Sequence, residues 1–147
     1  MKLIDLTHTH TEVMPIFPGD VPPKLEEGMD AENGIVHFRL ETGMHVGTHM
    51  DGPLHMIPAG RKLSEIAIEN FFAPGHLIDA RGRKETDTDL LKNQDIAPGD
   101  CILIYTGFDK KFREPSFYAD YPVLTEGFAR KLVELQIKYL VLDTDPS

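Results

Sequence analysis

The sequence predicts an α/β domain with a mixed sheet and flanking helices. Residues 101–106 are continuously apolar, as expected of a central strand that is buried on both faces. A helical pattern after Thr125 leads directly into the apolar stretch Tyr139–Leu142, and this strand, helix, strand order is typical of a βαβ unit with parallel strands. Residues 35–42 alternate in the first half of the chain, which indicates a strand buried on one face.

The first half of the chain is predicted to be rich in strands and loops. Residues 2–6 are predicted to form a short strand, and residues 14–23 a loop punctuated by proline. Within residues 35–42 apolar and polar side chains alternate, so that one face carries Val36, Phe38 and Leu40 and the other carries His37, Arg39 and Glu41. We assign His37 and His76 structural roles.

The middle of the chain is predicted to contain short helices and a strand. Ser64 is placed to cap a short helix, and residues 76–80 are predicted to form a strand. Thr86 or Thr88 then caps a second helix, which ends before Pro98.

The clearest helix of the chain begins after Thr125, which is its predicted N-cap. Phe128, Leu132 and Leu135 recur at a spacing that gives one apolar stripe, so we assign them to the core. The strand before this helix ends at Thr106, a natural place for contacts with a substrate.

Composition limits the class of protein. A length of 147 residues with 41% hydrophobic content predicts a single domain, residues 1–147, with a real core. The formal net charge of -9 and the scattered Lys and Arg argue against a nucleic-acid partner, because phosphate binding demands basic patches. We expect no membrane association and a cytoplasmic location, since no stretch approaches membrane-spanning length. The single cysteine, Cys101, is expected to be a buried, inert thiol.

One segment, residues 44–55, concentrates metal-binding and acid/base side chains, and we place the function there. A helix would separate the four functional groups, because each residue turns a helix by about 100°. An extended chain sends alternate side chains to one side, and all four groups occupy odd-numbered positions, namely His45, His49, Asp51 and His55. Bends near Gly47 and at Gly52–Pro53 are expected to let these side chains converge.

His45, His49 and Asp51 are the predicted metal ligands. Two imidazole nitrogens and a carboxylate oxygen leave positions open for water or substrate, which distinguishes catalytic from structural zinc sites. His55 lies beyond a proline turn and is better placed as a proton carrier, because imidazole can both take and return a proton near neutral pH.

At this point the sequence resembles a known family. The pattern His-x-Gly-Thr-His-x-Asp-x-Pro-x-His is complete from His45 to His55, and it is the signature of the cyclase-like metal-dependent hydrolases, which include bacterial kynurenine formamidase and isatin hydrolase. Residues 5–20, 105–108 and 121–125 fit the same family, so the resemblance spans nearly the whole chain. It implies a swivelling β/β/α-type fold, and subunits that pair as a homodimer or a higher homo-oligomer.

The resemblance also implies the chemistry. A divalent metal, zinc or manganese, is held by the three ligands predicted above, with His55 as the acid/base. The implied reaction is hydrolysis of the C–N amide bond of a small aromatic or cyclic amide, formylkynurenine-like molecules first, by water that the metal activates. Phe17 and Phe108 are candidates to line the substrate pocket, and equally candidates for packing.

The family resemblance raises an expectation about the C-terminal end. In the formamidase branch a second metal shares the aspartate and takes a histidine and a glutamate from a C-terminal segment. Family members continue past the strand that matches residues 139–143, whereas this sequence stops at Ser147. We therefore expect a missing C-terminal segment, through truncation, cleavage or its presence on a second chain. Intact-mass measurement of the native protein tests this.

Other classes of function stay open from the sequence. The alternatives are a non-catalytic metal or small-molecule binding module, and a related hydrolase that acts on cyclic imides or lactones. A Cys or Ser nucleophile is disfavoured, because Cys101 is expected to be buried and no serine lies in a recognisable nucleophile turn. His8 and His10 have no carboxylate at ligand spacing, so we assign them to solvent or to the rim of a substrate pocket.

Overall fold

The regular elements of this chain are short and are joined by long turns. The computed structural model describes residues 3–30 and 32–144. In chain order its helices and strands are β1 (Lys24–Asp30), β2 (Ile35–Glu41), α1 (Pro53–Met56), β3 (Gly75–Asp79), β4 (Glu85–Thr86), β5 (Cys101–Tyr105), β6 (Val123–Leu124), α2 (Glu126–Glu134) and β7 (Tyr139–Leu142). Single 3-10 turns occur at Leu63–Glu65, Ile68–Phe71, Thr88–Leu91, Phe108–Lys111 and Pro115–Tyr118. None of the helices in the described part of the chain is long and apolar enough to cross a lipid bilayer.

Contacts between Cα atoms divide the chain into two units, Met1–Gly60 and Arg61–Ser147. The single-domain organisation over residues 1–147 stays a prediction. The mixed α/β class is confirmed, because the described residues combine one antiparallel and two parallel sheets with two α-helices. The swivelling arrangement and the missing C-terminal segment stay predictions.

The first unit contains an antiparallel ribbon of β1 and β2, in which Gly28 lies opposite His37. β2 confirms the strand predicted at residues 35–42. β1 was missed, because adjacent charges and a glycine break the alternation in its sequence, KLEEGMD. The His37 ring covers Gly28 so closely that any side chain at that position would clash with it, which gives His37 a packing role.

The strand predicted at residues 2–6 is wrong over its described part. Residues 3–6 carry no regular secondary structure, and Lys2 lies outside the described residues. The apolar side chains that suggested a strand are largely exposed, Leu3 to 81% and Ile4 to 68%. Strand propensity alone does not hold a segment extended without a neighbouring strand and a buried face.

The second unit is built around a parallel sheet with the strand order β3, β5, β7. β5 lies in the centre, and Cys101, Ile102 and Ile104 are buried, so the predicted central strand and the burial of the thiol are confirmed. The β5, α2, β7 crossover confirms the predicted βαβ unit. β3 confirms the strand predicted at residues 76–80 with a shift of one residue. The core of this unit consists of Ile78, Ala80, Leu91, Ile102, Ile104, Phe128 and Leu132.

Of the three helix N-caps predicted from the sequence, the structure confirms one and differs at two. Thr125 Oγ1 accepts a hydrogen bond from the Phe128 N–H at 3.1 Å, which confirms it as the N-cap of α2. The capping role predicted for Thr86 or Thr88 is wrong, since Asp87 accepts the Thr88 N–H at 2.7 Å and Thr86 belongs to β4. The carboxylate between two threonines is the stronger acceptor.

The cap predicted at Ser64 is also wrong. Ser64 lies inside the 3-10 turn Leu63–Glu65, which begins after Lys62. Glu65 closes this turn by accepting the Lys62 N–H through Oε2 at 2.8 Å, so a carboxylate from within the turn satisfies the exposed donor.

Phe128 anchors α2 in the core, and its truncation is expected to be costly. The side chain is fully buried against β3 and β5 residues, so Phe128→Ala should lower the free energy of unfolding by about 3–5 kcal/mol. Urea denaturation of the native protein measures this. Val133 on the same helix is 78% exposed, and Val133→Ala should change stability by no more than about 0.5 kcal/mol. Equal effects of the two variants would contradict the assigned core.

Asp100 holds the loop before β5 and is expected to make stability depend on pH. The Ala97 N–H donates to its carboxylate at 2.9 Å and the His76 ring lies 2.8 Å away. These contacts hold the pKa of Asp100 below its ordinary value of 3.8. A lowered pKa in the folded state adds stability that is present above the pKa of the unfolded chain and is lost as pH falls through the folded value.

The Asp100→Asn variant tests this linkage. It should be less stable than the wild type at about pH 7, and the difference should shrink as the pH falls through the lowered pKa of Asp100, where the wild-type carboxylate also becomes neutral. Urea midpoints across this range measure the effect. A difference that stays constant with pH would show that the charge of Asp100 contributes nothing.

Candidate metal centre

The segment that carries the predicted site is a turn followed by an extended stretch. A hydrogen-bonded turn at Met44 and His45 is followed by bends at residues 46–48, and Gly47 has a φ of +75°. Glycine populates this left-handed region without the steric cost that a Cβ brings. The predicted bend near Gly47 is confirmed, and it reverses the chain so that side chains on either side of it approach each other.

This bend brings His45 together with His49 and Asp51. One ligand atom from each side chain lies within 4.8 Å of the others, and no further group of three such side chains occurs in the described part of the chain. Asp51 Oδ1 is 2.8 Å from His45 Nδ1 and 3.5 Å from His49 Nε2. The two rings are perpendicular, with centroids 5.2 Å apart. Two imidazoles thus converge on one carboxylate oxygen.

The orientation of His49 is set by the backbone. His49 Nδ1 lies 2.7 Å from the carbonyl oxygen of Gly47. Because a carbonyl oxygen only accepts hydrogen bonds, Nδ1 carries the proton, and the lone pair of the neutral ring is on Nε2, the nitrogen that points towards Asp51. Metal-ligating histidines are commonly oriented by such a bond from the other ring nitrogen.

His55 is presented by α1, a single helical turn. Pro53 occupies its first turn, where a missing N–H costs nothing. The His55 ring lies against that of His45, with centroids 4.0 Å apart and an angle of 37° between the planes. His55 is therefore a neighbour of the three-residue cluster without belonging to it.

The cluster is open to solvent. The side chains of His45, His49 and Asp51 are 42%, 30% and 35% exposed. Water and a small molecule can therefore reach all three groups. The donor set of two imidazoles and a carboxylate, mutually within reach and with one imidazole already oriented, fits a divalent metal ion such as zinc.

The other predicted site residues lie in different surroundings. Phe17 is 45% exposed, whereas Phe108 is buried and faces Phe117 with ring centroids 5.8 Å apart. Packing accounts for the position of Phe108, and the substrate-binding role of both residues stays a prediction. The polar groups of Thr106 are occupied, since its N–H and its Oγ1–H donate to Asp143 Oδ1 at 2.9 and 2.7 Å.

His8 and His10 do not join the cluster. The His8 N–H donates to Thr48 Oγ1 at 3.0 Å, and His10 Nε2 lies 3.5 Å from Thr42 Oγ1. The sequence-based reasoning missed the part played by Thr48 and by the Gly47 carbonyl. Gly47 indicated the bend. The hydrogen bond between His8 and Thr48 joins residues 40 positions apart, and the local sequence gives no sign of it.

Comparisons with known proteins agree on one family. The profile of a family described as putative cyclase matches residues 4–145. A kynurenine formamidase from Geobacillus thermodenitrificans (strain NG80-2) is 29% identical over 106 residues, which are 71% of this chain and 51% of that protein. The chain thus spans about half the length of this curated relative.

Solved structures show the same fold. A structure described as a potential metal-dependent hydrolase with cyclase activity is 26% identical, with a TM-score of 0.78 over 96% of this chain and 67% of that one. Isatin hydrolase A from Ralstonia solanacearum has a TM-score of 0.81 at 24% identity, over 96% of this chain and 66% of that one.

Proposed function

This chain belongs to the putative cyclase family, and from that membership we propose that it is a metal-dependent hydrolase that cleaves the C–N amide bond of a small aromatic or cyclic amide. The observation that carries the proposal is the convergence of His45, His49 and Asp51 on a common point. The relatives include a kynurenine formamidase and an isatin hydrolase, which support a formylkynurenine-like or similar aromatic substrate.

His45, His49 and Asp51 would hold the ion, zinc or manganese, with His49 binding through Nε2. A divalent ion bound there would lower the pKa of water towards about 7 and would polarise a carbonyl oxygen. Asp51 would supply negative charge that offsets part of the charge of the ion, and its Oδ1 lies within 3.5 Å of a nitrogen of each imidazole.

His55 is the proposed proton carrier. Its ring lies beside that of His45, so His55 would act at the edge of the cluster. The imidazole would take a proton from an attacking water and return one to the leaving amide nitrogen, so that the amine departs as a neutral group. A cytoplasmic location and the pairing of subunits stay predictions from the sequence.

Metal analysis combined with a substrate panel tests the proposal. The native protein, loaded with zinc or manganese, is assayed with N-formylkynurenine, isatin, a cyclic imide and a lactone. We expect one equivalent or more of bound metal, and turnover that is fastest on an aromatic amide. Bound metal without turnover on any member of the panel would favour a metal-binding module, and turnover that survives complete removal of the metal would refute the proposal.

A further inference from the structure

The segment that precedes the β1–β2 ribbon contacts Gly47 and Thr48 in the loop of the candidate metal centre. The first contact is a hydrogen bond in which the His8 backbone N–H donates to Thr48 Oγ1 at 3.0 Å. Thr48 lies between Gly47 and the proposed ligand His49 in the sequence. This bond joins residues 40 positions apart within the first unit.

The second contact is made by Met14. Its side chain is among the few buried in the first unit, at 4% exposure, and its terminal methyl group packs on Gly47. A Cβ added to Gly47 would lie 2.7 Å from Met14 Cε, which is closer than carbon atoms approach without a shift. Gly47 also has a φ of +75°, so its conformation favours glycine, and the Met14 methyl group occupies the space into which a Cβ would project.

The two contacts fall on either side of one peptide group. The carbonyl of Gly47 belongs to the peptide that joins Gly47 to Thr48, and this carbonyl accepts the proton of His49 Nδ1 at 2.7 Å. Met14 restrains the Gly47 side of the peptide and His8 restrains the Thr48 side. A rotation of this peptide would carry the carbonyl away and release the His49 ring.

We propose that residues 8–14 form a brace that holds the Gly47–Thr48 peptide and, through it, keeps His49 Nε2 aimed at the metal position. Thr48 and Met14 are positioning residues, because neither side chain belongs to the ligand cluster. The inference rests on the proposed metal centre. It assigns the segment containing residues 8–14 a role in metal affinity.

Cobalt binding by the native protein tests the brace without a substrate. Thr48→Val keeps the shape of the side chain but removes the acceptor for the His8 N–H, whereas Thr48→Ser keeps the hydroxyl. We expect the Co²⁺ dissociation constant to rise about tenfold in Thr48→Val, which is typical when a residue that orients a metal ligand is lost. In Thr48→Ser it should change less than about twofold. Of these two variants, only Thr48→Val should shift the visible absorption spectrum of bound Co²⁺.

Variants of Met14 give an independent test of the brace. Met14→Ala should weaken Co²⁺ binding, whereas Met14→Leu should retain most of the affinity because it keeps an apolar side chain of similar volume. The loss in the Thr48→Val, Met14→Ala double variant should be smaller than the sum of the single losses, since both restrain one peptide. If Met14→Ala unfolds the unit, the Thr48 pair decides the question alone, because Thr48 is exposed and its replacement leaves the core unchanged.

The metal-free protein gives a second readout. Long-range ¹H–¹⁵N spectra at alkaline pH, where imidazole rings are neutral, should show His49 as the Nδ1–H tautomer in the wild type and a mixture of tautomers in Thr48→Val. Wild-type cobalt affinity together with a wild-type tautomer in Thr48→Val would overturn the brace. A wild type that binds no Co²⁺ would instead refute the metal centre itself, so the two failures are distinguishable.

Discussion

Asp51→Asn is expected to reduce the affinity for a divalent metal by more than about 100-fold, beyond the loss typical of residues that only orient a ligand. Asp51 Oδ1 is the atom on which both imidazoles converge, at 2.8 and 3.5 Å. The amide keeps the shape of the side chain but loses its charge, and it presents either a weaker oxygen or a nitrogen that cannot bind a cation. Hydrolysis should fall in parallel.

Glu32→Gln is the matched control, because it removes one negative charge from an exposed residue of the same unit. Isothermal titration with Zn²⁺ or Mn²⁺ measures both variants against the wild type. The control should bind metal as the wild type does. If Asp51→Asn and Glu32→Gln bound metal equally well, the ion would have to be held elsewhere, and His45 and His49 would lose their assigned role.

His55→Ala is expected to leave metal content unchanged while lowering kcat by about 10²–10⁴-fold, the usual contribution of a general acid or base. The ring of His55 touches His45 but supplies no atom to the three-residue cluster. Proton transfer and metal binding should therefore separate in this variant.

Steady-state kinetics on the best substrate of the panel, together with metal analysis of the same sample, measures this separation. His37→Ala is the histidine control, because His37 lies in β2 and covers Gly28. That variant can lose stability but should retain kcat. Full turnover in His55→Ala would assign the proton transfer to another group, and loss of the metal would place His55 among the ligands.

The second unit was the more predictable part of the fold. Its central strand β5 is apolar on both faces, and Thr125 followed by an apolar stripe gives α2 both a beginning and a buried side. These signals are local, and parallel pairing follows from the strand, helix, strand order. The N-caps of the helical turns were less predictable. Thr86, Asp87 and Thr88 are all possible acceptors at the start of the turn Thr88–Leu91, and only the folded geometry selects Asp87.

The first unit shows where local patterns fail. β1 carries Glu26, Glu27 and Gly28 in succession, and it is a strand because β2 pairs with it along its whole length. Residues 3–6 have the apolar pattern of a strand but lie exposed. Pairing, which is a long-range property, decided both cases.

For the candidate site, the spacing of odd-numbered side chains and the flexibility of Gly47 were sufficient to predict which three groups approach each other. The prediction of an extended chain was only partly right, because residues 44–48 form a turn followed by bends. The residues that restrain His49 were not predictable, since Met14 and His8 act across more than 30 positions of sequence.

The contact between the rings of His45 and His55 couples the proposed metal ligand to the proposed proton carrier. If both roles hold, a change at position 45 alters the ligand and the surroundings of the proton carrier together, so fitness effects at positions 45 and 55 should show epistasis. A library that randomises both positions together will then recover functional pairs that single-site scanning rejects.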